Sequence, residues 1–180
     1  MKVVIIHGWE GWPEEGWFPW IKEKLEEKGI EVEVPAMPIP EAPHIDRWVP
    51  FLSRLVKNED TILVGHSAGC ITILRYLESS EITIKGSVLV AGFTDDLGYE
   101  ELSNYFQKPI EWDNIKEHCK RFIAIHSDND KYVDLKHGDI FKEKLGAEII
   151  IKHQKGHFSG SDGTKELPSA LEAVLKLASM

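Results

Sequence analysis

A serine hydroxyl becomes a useful nucleophile only where a base can take its proton, and the base works best when a carboxylate orients it. This sequence holds residues of all three types in a suggestive order. Gly65-His66-Ser67-Ala68-Gly69 follows the apolar run Thr61–Val64 directly, and a helical pattern opens at Ala68. Gly-x-Ser-x-Gly at a strand-to-helix junction is a nucleophile elbow. Its turn is so tight that the flanking positions two residues away must lack side chains. The turn lifts the hydroxyl above the sheet at the positive end of a helix. Downstream, the apolar run Arg121–Ile125 passes into His126-Ser127-Asp128-Asn129-Asp130-Lys131-Tyr132-Val133, and Glu148–Lys152 is followed by Lys155-Gly156-His157-Phe158. Nucleophile, acid and histidine thus occur in the chain order that goes with this elbow. Each lies past the C-terminal end of a strand, where open α/β sheets bind ligands.

The elements needed to hold these residues are legible in the hydrophobic pattern. Strands are expected at Lys2–Ile6, Ile30–Val34, Thr61–Val64, Gly86–Val90, Arg121–Ile125 and Glu148–Lys152. They are short, rich in Val and Ile and nearly unbroken by polar residues, as strands covered on both faces are. Helices are expected at Trp17–Lys28 (stopped by Gly29), Ile45–Lys57, Ala68–Leu77, Leu135–Leu145 (stopped by Gly146) and Glu166–Leu177. This alternation predicts an α/β fold: a doubly wound, mostly parallel sheet of about six strands with helices on both faces, forming one domain over residues 1–180. Pro-rich residues 35–44 read as a stiff surface loop. Residues 92–116 form the one long excursion, rich in aromatics, at a place where substrate pockets or lids are built.

Composition narrows the partners. With 180 residues, 42% hydrophobic and 28% charged, the chain has room for one well-buried core and is not a disordered polymer. A net charge of −9 disfavours nucleic acid and anionic lipid, both polyanions. No apolar run is long enough to span a bilayer and the N-terminus lacks a signal-peptide pattern, so cytoplasmic location is the expectation. Cys70 and Cys119 fit no zinc or redox spacing and read as buried, reduced thiols. His44, His118, His126 and His137 lack the mutual spacing of a metal site. Neither metal nor cofactor is expected.

Gly-His-Ser-Ala-Gly, then Asp-x-x-Val (Asp130 to Val133), then Gly-His-Phe resemble the α/β-hydrolase superfamily. The small size, the absence of an inserted cap and the stretch Phe106-Gln107-Lys108-Pro109-Ile110-Glu111-Trp112 make the chain similar, over essentially its whole length, to the RBBP9/YdeN family of compact serine hydrolases. The resemblance implies a triad of Ser67, Asp130 and His157, and esterase- or amidase-like activity. One departure is Lys131, where related sequences often carry Pro after the acid; this bears on loop stiffness more than on chemistry. The oxyanion hole calls for two backbone N–H groups, one from Ala68 and one from the loop His7-Gly8-Trp9-Glu10-Gly11. The resemblance points to Trp9 as the second donor, with Gly8 as the fallback.

Several residues compete for these roles. Asp128 rivals Asp130, and the spacing to Val133 favours Asp130; Asp128 then caps or solvates the loop. His153 rivals His157, but lies just beyond the last strand, one position after Lys152, whereas His157 sits in the loop that must reach Ser67. His66 packs or hydrogen-bonds within the elbow, and His7 bonds backbone near the oxyanion loop. Trp17 and Trp20 pack a helix against the sheet, whereas Trp12, Phe93, Trp112 and Phe158 are the candidate pocket walls. The resulting reading is a serine hydrolase cleaving small carboxylic esters, and amides as a second class, through an acyl-enzyme. The alternative is a protein-interaction module on a hydrolase scaffold. Haloalkane or epoxide chemistry needs a carboxylate at the elbow, which Ser67 excludes.

Overall fold

A computed structural model describes residues 1–180. In chain order the elements are β1 (Lys2–Ile6), α1 (Phe18–Glu26), β2 (Glu31–Glu33), α2 (Ile45–Leu55), β3 (Thr61–His66), α3 (Ala68–Leu77) and β4 (Gly86–Val90). They continue with α4 (Glu100–Ser103), a 3-10 turn at Asn104–Phe106, α5 (Trp112–Glu117), β5 (Phe122–Ser127), α6 (Lys136–Leu145), β6 (Glu148–Lys152) and α7 (Pro168–Ala178). The six strands form one sheet in the order β2-β1-β3-β4-β5-β6, and every pairing is parallel.

Alternation along the strands feeds two apolar layers. Val4, Ile6, Leu63, Leu89 and Ala124 point to the layer completed by Trp48 and Leu52 of α2, the buried length of α3, Ile115 of α5 and Phe141 of α6. Val3, Ile5, Ile62, Val64, Val88 and Ile125 point the other way, onto Ile21 and Leu25 of α1 and Ala170, Val174 and Leu177 of α7. All ten residues of α3 are buried, so the helix behind the elbow is locked between sheet and neighbours.

The strand order places the site. From β1 the chain crosses to one side, to β2; from β3 it crosses to the other, to β4. The carboxyl ends of β1 and β3 therefore flank the point where the winding reverses, and a crevice opens there. The loop after β1 and the elbow after β3 both empty into it.

Some boundaries differ from the expectation. β3 runs on through His66 and β5 through Ser127, because pairings such as His66 with Val90 and Ser127 with Lys152 continue the ladders past the apolar runs. The last helix starts at Pro168, the residue type suited to a first helical turn, rather than at Glu166. The excursion at 92–116 contains two short helices and a 3-10 turn. Arg75 of α3 bolts it down: Nε donates to Tyr105 O (2.7 Å), Nη2 to Lys108 O (2.7 Å) and Nη1 to Pro109 O (3.1 Å) and Glu78 Oε1 (2.6 Å). Glu78 Oε1 also accepts from Glu111 N–H at 2.8 Å.

Candidate active site

The elbow has the geometry its glycines suggest. Ser67 sits at φ 53°, ψ −119°, in backbone space that L-residues rarely adopt. A Cβ on Gly65 would lie 2.8 Å from Cys70 N, and one on Gly69 would lie 2.3 Å from Ile6 O. Both are impossible contacts, so the two glycines let the turn fold and let α3 dock against β1. Ser67 N–H donates to Val90 O at 2.9 Å, tying the turn to β4.

The chain of side chains runs Ser67, His157, Asp130. Ser67 Oγ lies 2.9 Å from His157 Nε2, and His157 Nδ1 lies 2.8 Å from Asp130 Oδ2. With Nδ1–H donating to the carboxylate, Nε2 is free to accept the serine proton. The Asp130 side chain is 2% exposed. Its other oxygen accepts from Tyr132 N–H (2.9 Å) and Val133 N–H (3.1 Å), which is the physical content of the Asp-x-x-Val spacing. Lys131 does not prevent this turn; its ammonium lies over the Tyr132 ring, 5.7 Å from the centroid.

The backbone of His157 is held as firmly as its ring. Its N–H donates to Asp162 Oδ2 at 2.8 Å, and its carbonyl accepts from His66 Nε2–H at 2.7 Å. Burial drives the His66 pKa down to about 3, with the neighbouring His157 adding to the effect, so His66 stays neutral at ordinary pH. Burial alone would raise the Asp162 carboxyl, but the Ser159 hydroxyl and the amides of His157 and Ser159 outweigh it and hold the group below its ordinary value.

The two competitors have found each other. His153 Nδ1 is 2.5 Å from Asp128 Oδ2, and Asp128 also accepts from Gln154 N–H at 2.9 Å. Ser127 Oγ accepts from Lys155 N–H (2.9 Å), and Asn129 Oδ1 from Gly156 N–H (2.8 Å). Four successive residues, Ser127 to Asp130, thus each grip the 153–157 segment. Asp128 and His153 join the loops, and neither lines the cavity into which Ser67 opens.

On the β1 side, a Cβ on Gly8 would lie 3.1 Å from Ser67 Cβ, so the main chain of this loop touches the serine. His7 fixes the loop, with Nδ1–H donating to Gly8 O (2.8 Å) and Nε2 accepting from Met37 N–H (3.0 Å); burial lowers its pKa, which suits this neutral form. Glu10 N–H and Gly11 N–H are used within the protein, donating to Pro40 O and Gly8 O, whereas those of Trp9 and Ala68 have no protein acceptor. Trp9 itself is pinned by Nε1–H to Glu41 O at 3.0 Å and by an edge contact with Tyr99.

Ser67 and His157 open into a cavity of about 850 Å³. Trp9, Phe93, Leu97, Tyr99 and Leu102 give it an apolar wall, and Glu10, Glu14 and Glu15 a carboxylate wall. Burial raises the pKa of Glu15. Of the candidate pocket walls, Trp12 and Phe93 line this cavity. Trp112 and Phe158 do not. Trp112 opens α5 and packs against the core beneath the excursion, and Phe158, at φ 56°, turns wholly into the α1/α7 layer. The sequence reading also missed Tyr132, whose ring meets His157 edge-on at 5.1 Å, and the carboxylates; glutamates in a loop after β1 carry no pattern separating a cavity wall from a solvated surface. No cluster of three or more His, Cys, Asp or Glu is disposed to hold a metal, and no helix is long and apolar enough to cross a membrane.

The serine hydrolase family model matches residues 3–176. The chain is 32% identical over 167 residues to the serine hydrolase RBBP9 of Rattus norvegicus, covering 89% of each chain. It is 31% identical over 178 residues to YdeN of Bacillus subtilis, covering 96% of this chain and 94% of that one. The crystal structure of YdeN superposes with a TM-score of 0.94 over 99% of both chains, at 29% identity. Est1E of Butyrivibrio proteoclasticus, solved with ferulic acid bound, shares the fold at a TM-score of 0.78 and 16% identity, over 99% of this chain and 90% of that one. With an elbow, a buried acid and a histidine on one compact parallel sheet, and with relatives matched nearly end to end, the chain belongs to the serine hydrolase family of RBBP9 and YdeN.

Proposed function

We propose that this hydrolase cleaves small carboxylic esters, and amides as a second class, through an acyl-enzyme on Ser67, as a carboxylesterase-like enzyme of class EC 3.1.1. The observation that carries the reading is the continuous path Ser67 Oγ, His157 Nε2, His157 Nδ1, Asp130 Oδ2 at the floor of an open cavity. His157 takes the hydroxyl proton as Ser67 Oγ bonds to the carbonyl carbon. The free amides of Ala68 and Trp9 receive the oxyanion. Collapse breaks the bond to the leaving alcohol, which departs with the proton from His157. Water, deprotonated by His157, then releases the acid. Asp130 holds the imidazole in the tautomer this requires. The apolar wall of Trp9, Phe93 and Tyr99 supports an uncharged acyl or aryl group beside Ser67, and Trp12 extends that wall at the rim. No cofactor or metal has a part in these steps. A single domain of residues 1–180 acting on a small molecule in the cytoplasm is the accompanying reading, and the free, buried thiols of Cys70 and Cys119 suit a reducing compartment.

The test is labelling by a fluorophosphonate probe alongside p-nitrophenyl acetate turnover, in wild type and Ser67→Ala. Labelling and turnover that vanish together in the folded Ser67→Ala variant are expected. Folded wild-type protein that does neither would sink the proposal and leave the scaffold as a protein-binding module.

A further inference from the structure

The two free edges of the sheet are built differently. β2 is three residues long, with carboxylates at both ends, and Lys22 Nζ donates to Val32 O at 2.7 Å. Shortness, charge and a lysine on the main chain are how sheets guard an edge. β6 has five residues, Glu148-Ile149-Ile150-Ile151-Lys152, and no strand on its outer side. Lys152 O accepts from Asp128 N–H on the β5 side at 3.1 Å. By the alternation of a strand, the main chains of Ile150 and Glu148 also face β5. The N–H and C=O groups of Ile149 and Ile151 face outward, where they have no partner. Ile151, 49% exposed as a residue, stands on this same edge.

We propose that β6 is a homodimer interface, with two copies of the chain pairing this strand antiparallel about a two-fold axis through Ile150, so that two six-stranded sheets become one. The outward-facing residues dictate the fit. With the axis at Ile150, Ile149 of each copy stands opposite Ile151 of the other, and each such pair exchanges two main-chain hydrogen bonds. Ile150 meets its own copy as the close pair without hydrogen bonds. Residues on one face of a strand meet residues on the same face of the next, so Glu148 stands opposite Lys152 at both ends. The strand is complementary in charge to itself only in this orientation, since a parallel in-register pairing would set Glu against Glu and Lys against Lys. A slip of one residue would lose both ion pairs. The charges are available: Glu148 reaches only the half-exposed Lys176, and Lys152 has no carboxylate partner. Self-association through a self-complementary patch closes at two copies.

Sedimentation equilibrium over a dilution series reads this directly, with circular dichroism confirming that each variant is folded. Wild type is expected to show the mass of two chains and to dissociate on dilution. Ile151→Lys is expected to show one chain with an unchanged spectrum. Glu148→Lys and Lys152→Glu should each weaken the dimer by roughly tenfold or more in dissociation constant, because each places like charges opposite one another at both ends. The double variant Glu148→Lys/Lys152→Glu should recover most of that loss. A one-chain mass for wild type at all concentrations overturns the proposal. So does a dimer indifferent to Ile151→Lys, which would lie elsewhere on the surface, or a double variant no better than the singles.

Discussion

At His157 both ring nitrogens and both backbone polar groups have a partner: Ser67, Asp130, Asp162 and His66. The two backbone partners act on chemistry only through the imidazole, so they should alter kcat more than KM. Asp162→Ala is expected to lower kcat by about tenfold in p-nitrophenyl acetate turnover, and Asp162→Asn, which keeps an acceptor for the His157 amide, to retain most activity. Asp130→Ala is expected to cost on the order of 10³–10⁴ in kcat, by analogy with loss of the orienting acid in other triads. Asp128→Ala should stay within a few-fold, since its carboxylate is occupied with His153 and Gln154. Equal losses from the two alanine variants would show the acid to be misassigned.

Among the elements, those carried by continuous apolar runs were legible residue for residue: Lys2–Ile6, Gly86–Val90, Glu148–Lys152 and the helix Ala68–Leu77 all stand where the pattern puts them. The glycine spacing around Ser67 and the Asp130–Val133 interval were equally readable, because each reflects a local steric or hydrogen-bonding need. The ends of β3 and β5 were not, since His66, His126 and Ser127 are strand residues only by virtue of the neighbouring ladder. The helices of residues 100–117 are too short for a 3.6-residue period to show. Aromatic identity alone said nothing about which way Trp112 and Phe158 face. Nor does the sequence show that Arg75, inside an apolar helix, holds that excursion. Arg75→Met would leave Glu78 and three carbonyls without their donor in a buried setting. Urea unfolding is expected to report a loss of about 3 kcal/mol, with little change if the guanidinium were merely a solvated charge.

For the molecule as a whole, four histidines are buried in a state that resists protonation. Burial lowers the pKa of His7 and His137, brings His126 to about 4 and brings His66 to about 3. Below the unfolded value near 6.5, the unfolded chain binds protons that the folded chain refuses, so stability falls as pH falls. For His126 the loss accumulates until the folded group itself titrates, near the value of about 4. Each such group contributes up to ~1.4 kcal/mol per pH unit within its window. Unfolding free energies should therefore drop steeply between pH 6.5 and 4, and a flat profile there would contradict the neutral assignment. Both ring nitrogens of His126 are buried without partners, so His126→Leu should leave stability at neutral pH unchanged or higher and remove about one proton from the slope. The anchoring of residues 105–111 to Arg75 and Glu78 has a kinetic corollary. A lipase waits for an oil–water interface to swing its cover aside. Here the excursion that lines the cavity with Phe93, Leu97, Tyr99 and Leu102 runs on into a stretch fastened to α3, so rate should follow a plain hyperbola as an ester is raised through its solubility limit, with no jump when droplets or micelles form.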